Sequence, residues 1–225
     1  MKTNVKVKLR LFAAAVAAVV IILIILCLAV PSCAGKLGFE TTFYYVCYDS
    51  PPDAQSASSI SSVVHSYGGA GYIIENGGNY FVTVACYYEN NDAQSVVATL
   101  GKKGLGCSVV KVTAGDYDLR GSAKRNAEKF RSNLETLLSL SRLCYDLANS
   151  LDSYSVSQQS AKSVLDDVGS GLCGLAGINV ANCFTKEIER LQAECSDAQS
   201  GYVFSYDVRR LQIAICDCIT NVKIY

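Results

Sequence analysis

Histidine is almost missing from this chain: its 225 residues include one, His65. Zinc centres and Cys–His nucleophile pairs both need imidazole beside other donors. The one close cysteine pair, Cys216-Asp-Cys218, lies far along the sequence from His65. Paired carboxylates in a recognisable acid–base motif are absent too. Asp166-Asp167 and Glu187-Glu189 fall where a solvated helix face is expected. The sequence therefore predicts no enzyme, no metal and no cofactor.

An excess of positive charge is lacking as well. The chain holds 20 Lys+Arg and 20 Asp+Glu, and four of the basic residues (Lys2, Lys6, Lys8, Arg10) precede a long apolar run. Behind that run stand 16 basic and 20 acidic residues, about four net negative charges. A nucleic-acid partner, which requires clustered Lys and Arg, is excluded on that balance.

The apolar run itself has no charge, no glycine and no proline. Residues 11–30 read LFAAAVAAVVIILIILCLAV, and twenty such residues in a helix span roughly 30 Å, a bilayer core. Basic residues before it place residues 1–10 in the cytoplasm and all that follows the span outside. The expectation is a single-pass protein of the cell membrane, with a linker over 31–38. A cleaved signal peptide is the competing reading, although its apolar region usually runs only about 7–15 residues. Ser32-Cys33 after Ala29-Val30-Pro31 faintly suggests a lipoprotein cleavage site, with Pro31 badly placed for it.

Eleven cysteines in an exported chain would ordinarily indicate disulfides. Their spacings are scattered, however, and most stand where an apolar residue fits the local pattern, as buried thiols do.

What the sequence does contain is an echo. CYDSPPDAQS begins at Cys47 and CYYENNDAQS at Cys86, thirty-nine residues later. Around the first copy, FYYVCY (43–48) predicts a strand. Ser50 as N-cap, Pro51 at N1 and Asp53 at N3 start a helix over 54–65, with Ala57, Ile60, Val63 and Val64 on one stripe. Gly68-Gly69 ends it, and a strand follows at about 71–75. Asn76-Gly77-Gly78-Asn79 signals a hairpin into YFVTVACY (80–87). A second helix carries Ala93, Val96, Val97 and Leu100, and CSVVKV (107–112) is the last strand.

Two β-α-β halves joined by a hairpin predict a ferredoxin-like βαββαβ sandwich over 39–114, four antiparallel strands with two helices on one face. Cys47 and Cys86 are expected at opposite ends of its sheet. A third Asp-Ala-Gln-Ser, at 197–200, has no strand around it and is read as coincidence.

The second half, GGNYFVTVACYYENNDAQSVVATLGKKGL (77–105), resembles the SPOR domain, a peptidoglycan-binding module. Tyr80, Val82, Val84, Tyr87, Ala93, Leu100 and Gly104 match that family's strand, helix start and helix end. FYYVCYDSPPDAQSA resembles its opening strand and helix. Phe81 stands where the family favours Arg, Tyr44 near its usual Gln, and Ala85-Cys86 replaces Gly-Pro. The resemblance implies binding of peptidoglycan glycan strands on the sheet face opposite the helices, in division, wall remodelling or sporulation. Strand alternation predicts Phe43, Tyr45, Val82 and Val84 toward the helices. It leaves Tyr44, Val46, Phe81 and Thr83, with Tyr48 and Tyr87 at the strand ends, as the glycan-binding set. The alternative is that the C-terminal region covers this face.

From Asp116 onward the pattern is helical, without strands. Residues 127, 130, 134, 137, 141, 144, 148 and 151 step in threes and fours, as do Phe184, Ile188, Leu191 and Cys195. Phe204, Val208, Leu211, Ile215, Cys218 and Val222 repeat the step. A shorter stripe, Ala161 to Leu172, meets a glycine-rich break at 169–177. Three or four helices in a bundle or coiled coil over 115–225 are expected, offering a surface for a protein partner or a second copy. The fold class is α+β: transmembrane helix, ferredoxin-like domain, helical bundle. Without glycan binding, the same parts would make a structural protein assembled through protein–protein contacts.

Overall fold

The structure is a computed structural model that describes residues 35–119, 124–176 and 182–221. The apolar run 11–30 and its basic flank lie outside these residues. Among those described, no helix is long and apolar enough to cross a membrane. The described residues from Lys36 onward cluster as one unit.

Among the described residues the chain is α+β, with two sheets and six helices. A short strand β1 (Gly35–Leu37) is followed by β2 (Thr41–Asp49), α1 (Ala54–Ser66), β3 (Tyr72–Asn76), β4 (Asn79–Tyr87), α2 (Asn90–Lys102) and β5 (Ser108–Ala114). Strand β6 (Tyr117–Leu119) then pairs with β1, so a strand does follow Asp116. Helices α3 (Ala127–Asp152), α4 (Gln158–Ala176), α5 (Asn182–Gln199) and α6 (Ser205–Asn221) complete the chain.

The large sheet has the order β3-β4-β2-β5, every pair antiparallel. Asn76 and Asn79 close the β3–β4 hairpin as a cross-strand pair over Gly77-Gly78. Helix α1 starts three residues later than the sequence suggests. Asp53, not Ser50, is its N-cap, and the Asp53 carboxylate accepts the Ser56 backbone N–H at 2.7 Å. That bond satisfies one of the donors a helix start leaves open.

Both faces of this sheet are covered. Helices α1 and α2 pack on one face, over Val46, Val82, Val84, Ala85 and Tyr87. The other face presents Phe43, Tyr45, Cys47, Tyr72, Ile74 and Cys86 to the core shared with the bundle, where α6 packs against β3, β4 and β5. Two-sided burial has a cause in β2, where FYYVC offers apolar or aromatic residues to both sides; such a strand is stable only between two layers. The predicted facing is therefore corrected on β2. Phe43 and Tyr45 point away from α1 and α2, and Tyr44 and Val46 point toward them.

A bulge explains why the two central strands differ. Val46 pairs with Ala85 and Cys47 with Thr83, which leaves Val84 extra in β4. Val84 and Ala85 then both face the helices, and the alternation that is right at Val82 is reversed by Cys86. Cys47 and Cys86 are also not at opposite ends of the sheet. Cys86 pairs with Tyr45, two residues before Cys47, because β2 begins beyond the end of β4. Both thiols are buried on the bundle face and unpaired.

The glycine-rich stretch does not break the bundle before Ala176: α4 runs through Gly169, Gly171 and Gly174. Gly171 is there for close approach. A Cβ at that position would lie 2.9 Å from Leu140 Cδ2 on α3. Val63, predicted on the buried stripe of α1, is exposed, and Ala57 and Val64 carry the contact.

Candidate functional site

The six residues expected to form a common glycan platform are divided between the two faces. Tyr44 is half-buried and Val46 fully buried beneath α2. Tyr87 is buried on that same side, its ring edge-on to Tyr145 at 6.0 Å. Phe81 and Thr83 lie on the bundle face, Phe81 half-buried and Thr83 fully buried with its hydroxyl donating to the Tyr72 carbonyl at 2.7 Å. Only Tyr48 is exposed, at 37%. The sheet face opposite α1 and α2 is thus an interior.

Hydrogen bonds hold the bundle to that face. Gln212 on α6 donates to the Cys86 carbonyl at 3.1 Å, and Tyr88 and Ser141 share a bond of 2.8 Å. Tyr72 donates to Asp217 at 3.0 Å and accepts from Arg190 at 3.0 Å. Burial pushes the Asp217 carboxyl above its ordinary value, against the lowering effect of its bonds from Asn221 and Tyr72. The Tyr72 hydroxyl is pushed up by burial and by Asp217.

Three of the buried thiols do not suit nucleophilic work. Burial raises Cys47 to about 12, Cys218 to about 12 and Cys195 to about 11, so they are protonated near neutral pH. No group of three or more His, Cys, Asp or Glu among the described residues could hold a metal ion.

Two concavities lie among the described residues. One, of about 450 Å³, lies between the β3–β4 hairpin and the end of α6, lined by Ile73, Glu75, Gly77, Tyr80, Asp217 and Asn221. The other, of about 210 Å³, lies between α1, α5 and α6, lined by His65, Glu194, Asp197, Ala198, Asp207 and Arg210. In it Arg210 meets Glu194 at 3.0 Å, and His65 Nε2 lies 3.6 Å from Asp207. Burial raises the Asp207 carboxyl, with His65 and Arg210 opposing. Arg210 also donates to the Gly71 carbonyl at 3.4 Å, which ties this cleft to the sheet unit.

A feature that the sequence pattern hid adjoins the second cleft. Phe204, placed by its spacing on a bundle seam, stands before α6 and is 42% exposed; Tyr202 is 60% exposed. The signal was the alternation Tyr-Val-Phe-Ser-Tyr over 202–206, which in extended chain sends Tyr202 and Phe204 to one side and Val203 to the other.

No family model matches the chain, and no curated protein or solved structure matches it either.

Proposed function

We propose that this chain is a membrane-anchored, non-catalytic protein of the cell wall. In this reading a ferredoxin-like, SPOR-like unit and a helical bundle together form an extracytoplasmic binder of peptidoglycan glycan strands. The observation that carries the proposal is the strand order β3-β4-β2-β5, all antiparallel, with α1 and α2 on one face. Two β-α-β halves related by a pseudo-two-fold generate that order, and residues 77–105 bear the SPOR-like pattern on it. The apolar run 11–30 behind four basic residues supports the anchor and its orientation. Because the sheet face is interior, the glycan contact falls elsewhere on the surface.

The test is co-sedimentation of the full-length chain, solubilised in detergent, with sacculi treated with an amidase to strip stem peptides. Retention that rises with the amount of sacculus supports glycan binding. Recovery of the chain entirely in the supernatant overturns it.

One observation favours a second reading, that of a structural protein. The face on which the SPOR family binds glycan is occupied here by α6 of the same chain. A sheet face used for docking makes the unit an assembly element, and the bundle then serves a protein partner or a second copy. A discrete oligomer in light scattering, with no retention on sacculi, is the outcome that selects this reading.

A further inference from the structure

Tyr202, Phe204, Tyr206 and His65 form a continuous row of rings. Tyr202 and Phe204 are tilted at 46° with centroids 4.8 Å apart, and Phe204 and Tyr206 are stacked at 10° and 5.0 Å. His65 meets Tyr206 edge-on at 4.9 Å. Val203 fixes the row from behind: it is buried, its N–H donates to the Gln158 side-chain oxygen at 2.7 Å, and Gln158 donates back to its carbonyl at 3.0 Å. The two neighbours of Val203 are thereby held outward, and aromatic surface ordered in advance loses little conformational freedom on binding.

No cation of the described residues uses these rings. Guanidinium groups lie over Tyr88 (Arg142, 5.4 Å) and over Tyr72 (Arg190, 5.9 Å; Arg210, 5.7 Å), and none lies over Tyr202, Phe204 or Tyr206. The row ends in the cleft of His65, Glu194, Asp197, Asp207 and Arg210, and that cleft sets the sign of an occupant. Three carboxylates stand there against one guanidinium. Arg210 is engaged by Glu194 and Asp207 faces His65, whereas Asp197 makes no ion pair among the described residues. Cations are drawn to this edge, and anionic polymers and anionic bilayers are repelled from it.

Shape then separates a peptide from a small amine. Small-molecule sites enclose most of their ligand, but Tyr202 and Phe204 are open, and the cleft of about 210 Å³ takes only one side-chain head group. Successive rings about 5 Å apart run beside up to about four residues of extended chain, at roughly 3.3 Å each. We propose that this edge docks an arginine-bearing, extended segment of a partner protein. One guanidinium enters the cleft and donates to Asp197, and another lies on the ring face of Tyr202 or Phe204. A planar guanidinium stacks on rings and forks onto a carboxylate, whereas an ammonium is a hydrated point charge. The proposal goes beyond glycan binding and holds whether or not the chain binds the wall.

Calorimetry on the full-length chain in nonionic detergent tests the site, with hexaarginine, hexalysine, hexaglutamate and spermine as probes. Hexaarginine binds more tightly than hexalysine, salt weakens both, and hexaglutamate does not bind. Tyr202→Ala combined with Phe204→Ala weakens hexaarginine about tenfold and removes its advantage over hexalysine. Asp197→Asn weakens both peptides about threefold. Unchanged affinity for hexaarginine in either variant overturns the site. If the double variant loses its fold, Tyr202→Ala alone, at the most exposed ring of the row, weakens hexaarginine about threefold. Unchanged affinity in that single variant overturns the site equally.

Two controls separate docking from other attractions. Asp118→Asn removes an exposed carboxylate on β6, in the other sheet, and leaves the affinity for hexaarginine unchanged. A loss there equal to that of Asp197→Asn would show diffuse charge attraction and overturn the site. Spermine, a flexible polyamine without guanidinium groups, binds more weakly than hexaarginine; equal or tighter binding would make this a polyamine site and overturn the peptide assignment. No glycan enters these measurements, so retention on sacculi and peptide docking succeed or fail separately.

Discussion

Gln212 on α6 donates its side-chain N–H to the backbone carbonyl of Cys86 on β4 at 3.1 Å, and both residues are completely buried. This bond lies inside the interface that closes the sheet. The Gln212 side-chain oxygen is itself buried without a partner. Gln212→Ala opens a cavity and orphans the carbonyl, which lowers stability by about 2–4 kcal/mol. Gln212→Leu orphans the carbonyl but keeps the volume and removes the unpaired oxygen, so its loss is smaller. Urea unfolding of the two variants measures the difference; equal losses would contradict this account of the interface.

Gly71 and Gly77 both have φ of +59°, but their surroundings differ. A Cβ at Gly71 would lie 2.6 Å from the Ser61 backbone carbonyl, whereas nothing lies within 4 Å of one at Gly77. Gly77→Ala therefore carries only left-handed strain, about 1–2 kcal/mol. Gly71→Ala adds a backbone clash and costs roughly 1–3 kcal/mol more. Denaturation midpoints for the pair isolate the contact term, and similar midpoints would show that α1 can move away from β3.

Asp217 has its carboxyl raised above the ordinary 3.8 by burial. The folded state therefore binds the proton more tightly than the unfolded chain does. The stability this contributes is fully present below 3.8 and is lost as pH rises through the elevated folded value. Asp217→Asn should gain stability relative to wild type between about pH 4 and about pH 7, as read from urea midpoints. A difference that stays flat across that range would show that the Tyr72 and Arg190 contacts fully offset burial.

Cys173 is exposed and Cys144, Cys195 and Cys216 are buried. Iodoacetamide should modify Cys173 in the native protein and reach the buried three only on unfolding. Mass spectrometry of tryptic peptides reads this directly. Native labelling of Cys216 at the rate of Cys173 would mean that α6 leaves the sheet readily.

Much of the element order was legible in the sequence because each signal was local. The seam from residue 127 to residue 151 matches α3, and Asn76-Gly77-Gly78-Asn79 matches the hairpin. Capping at Asp53 rather than Ser50 was a choice between two suitable residues three positions apart. The short β6 leaves no mark in the sequence because three residues carry no period. Gly171 read as a breaker because its partner, Leu140, lies on another helix.

The faces were not legible. FYYVCY is apolar on both sides, so alternation gives no phase, and the Val84 bulge reverses the phase within β4. Hence Val46 and Phe81, expected together, lie on opposite sides of the sheet. Phe204 fitted a helical step that α6 begins one residue too late to use.

By itself the sequence determined the order of elements from β2 to β5 and the helical C-terminal half, because hydrophobic period, turn residues and caps act over a few residues. Only the tertiary structure decided that the sheet's second face is interior, that Cys47 and Cys86 share it, and that Tyr202 and Phe204 stay in water. Those outcomes depend on which apolar surfaces meet, and a doubly apolar strand accepts a partner on either side.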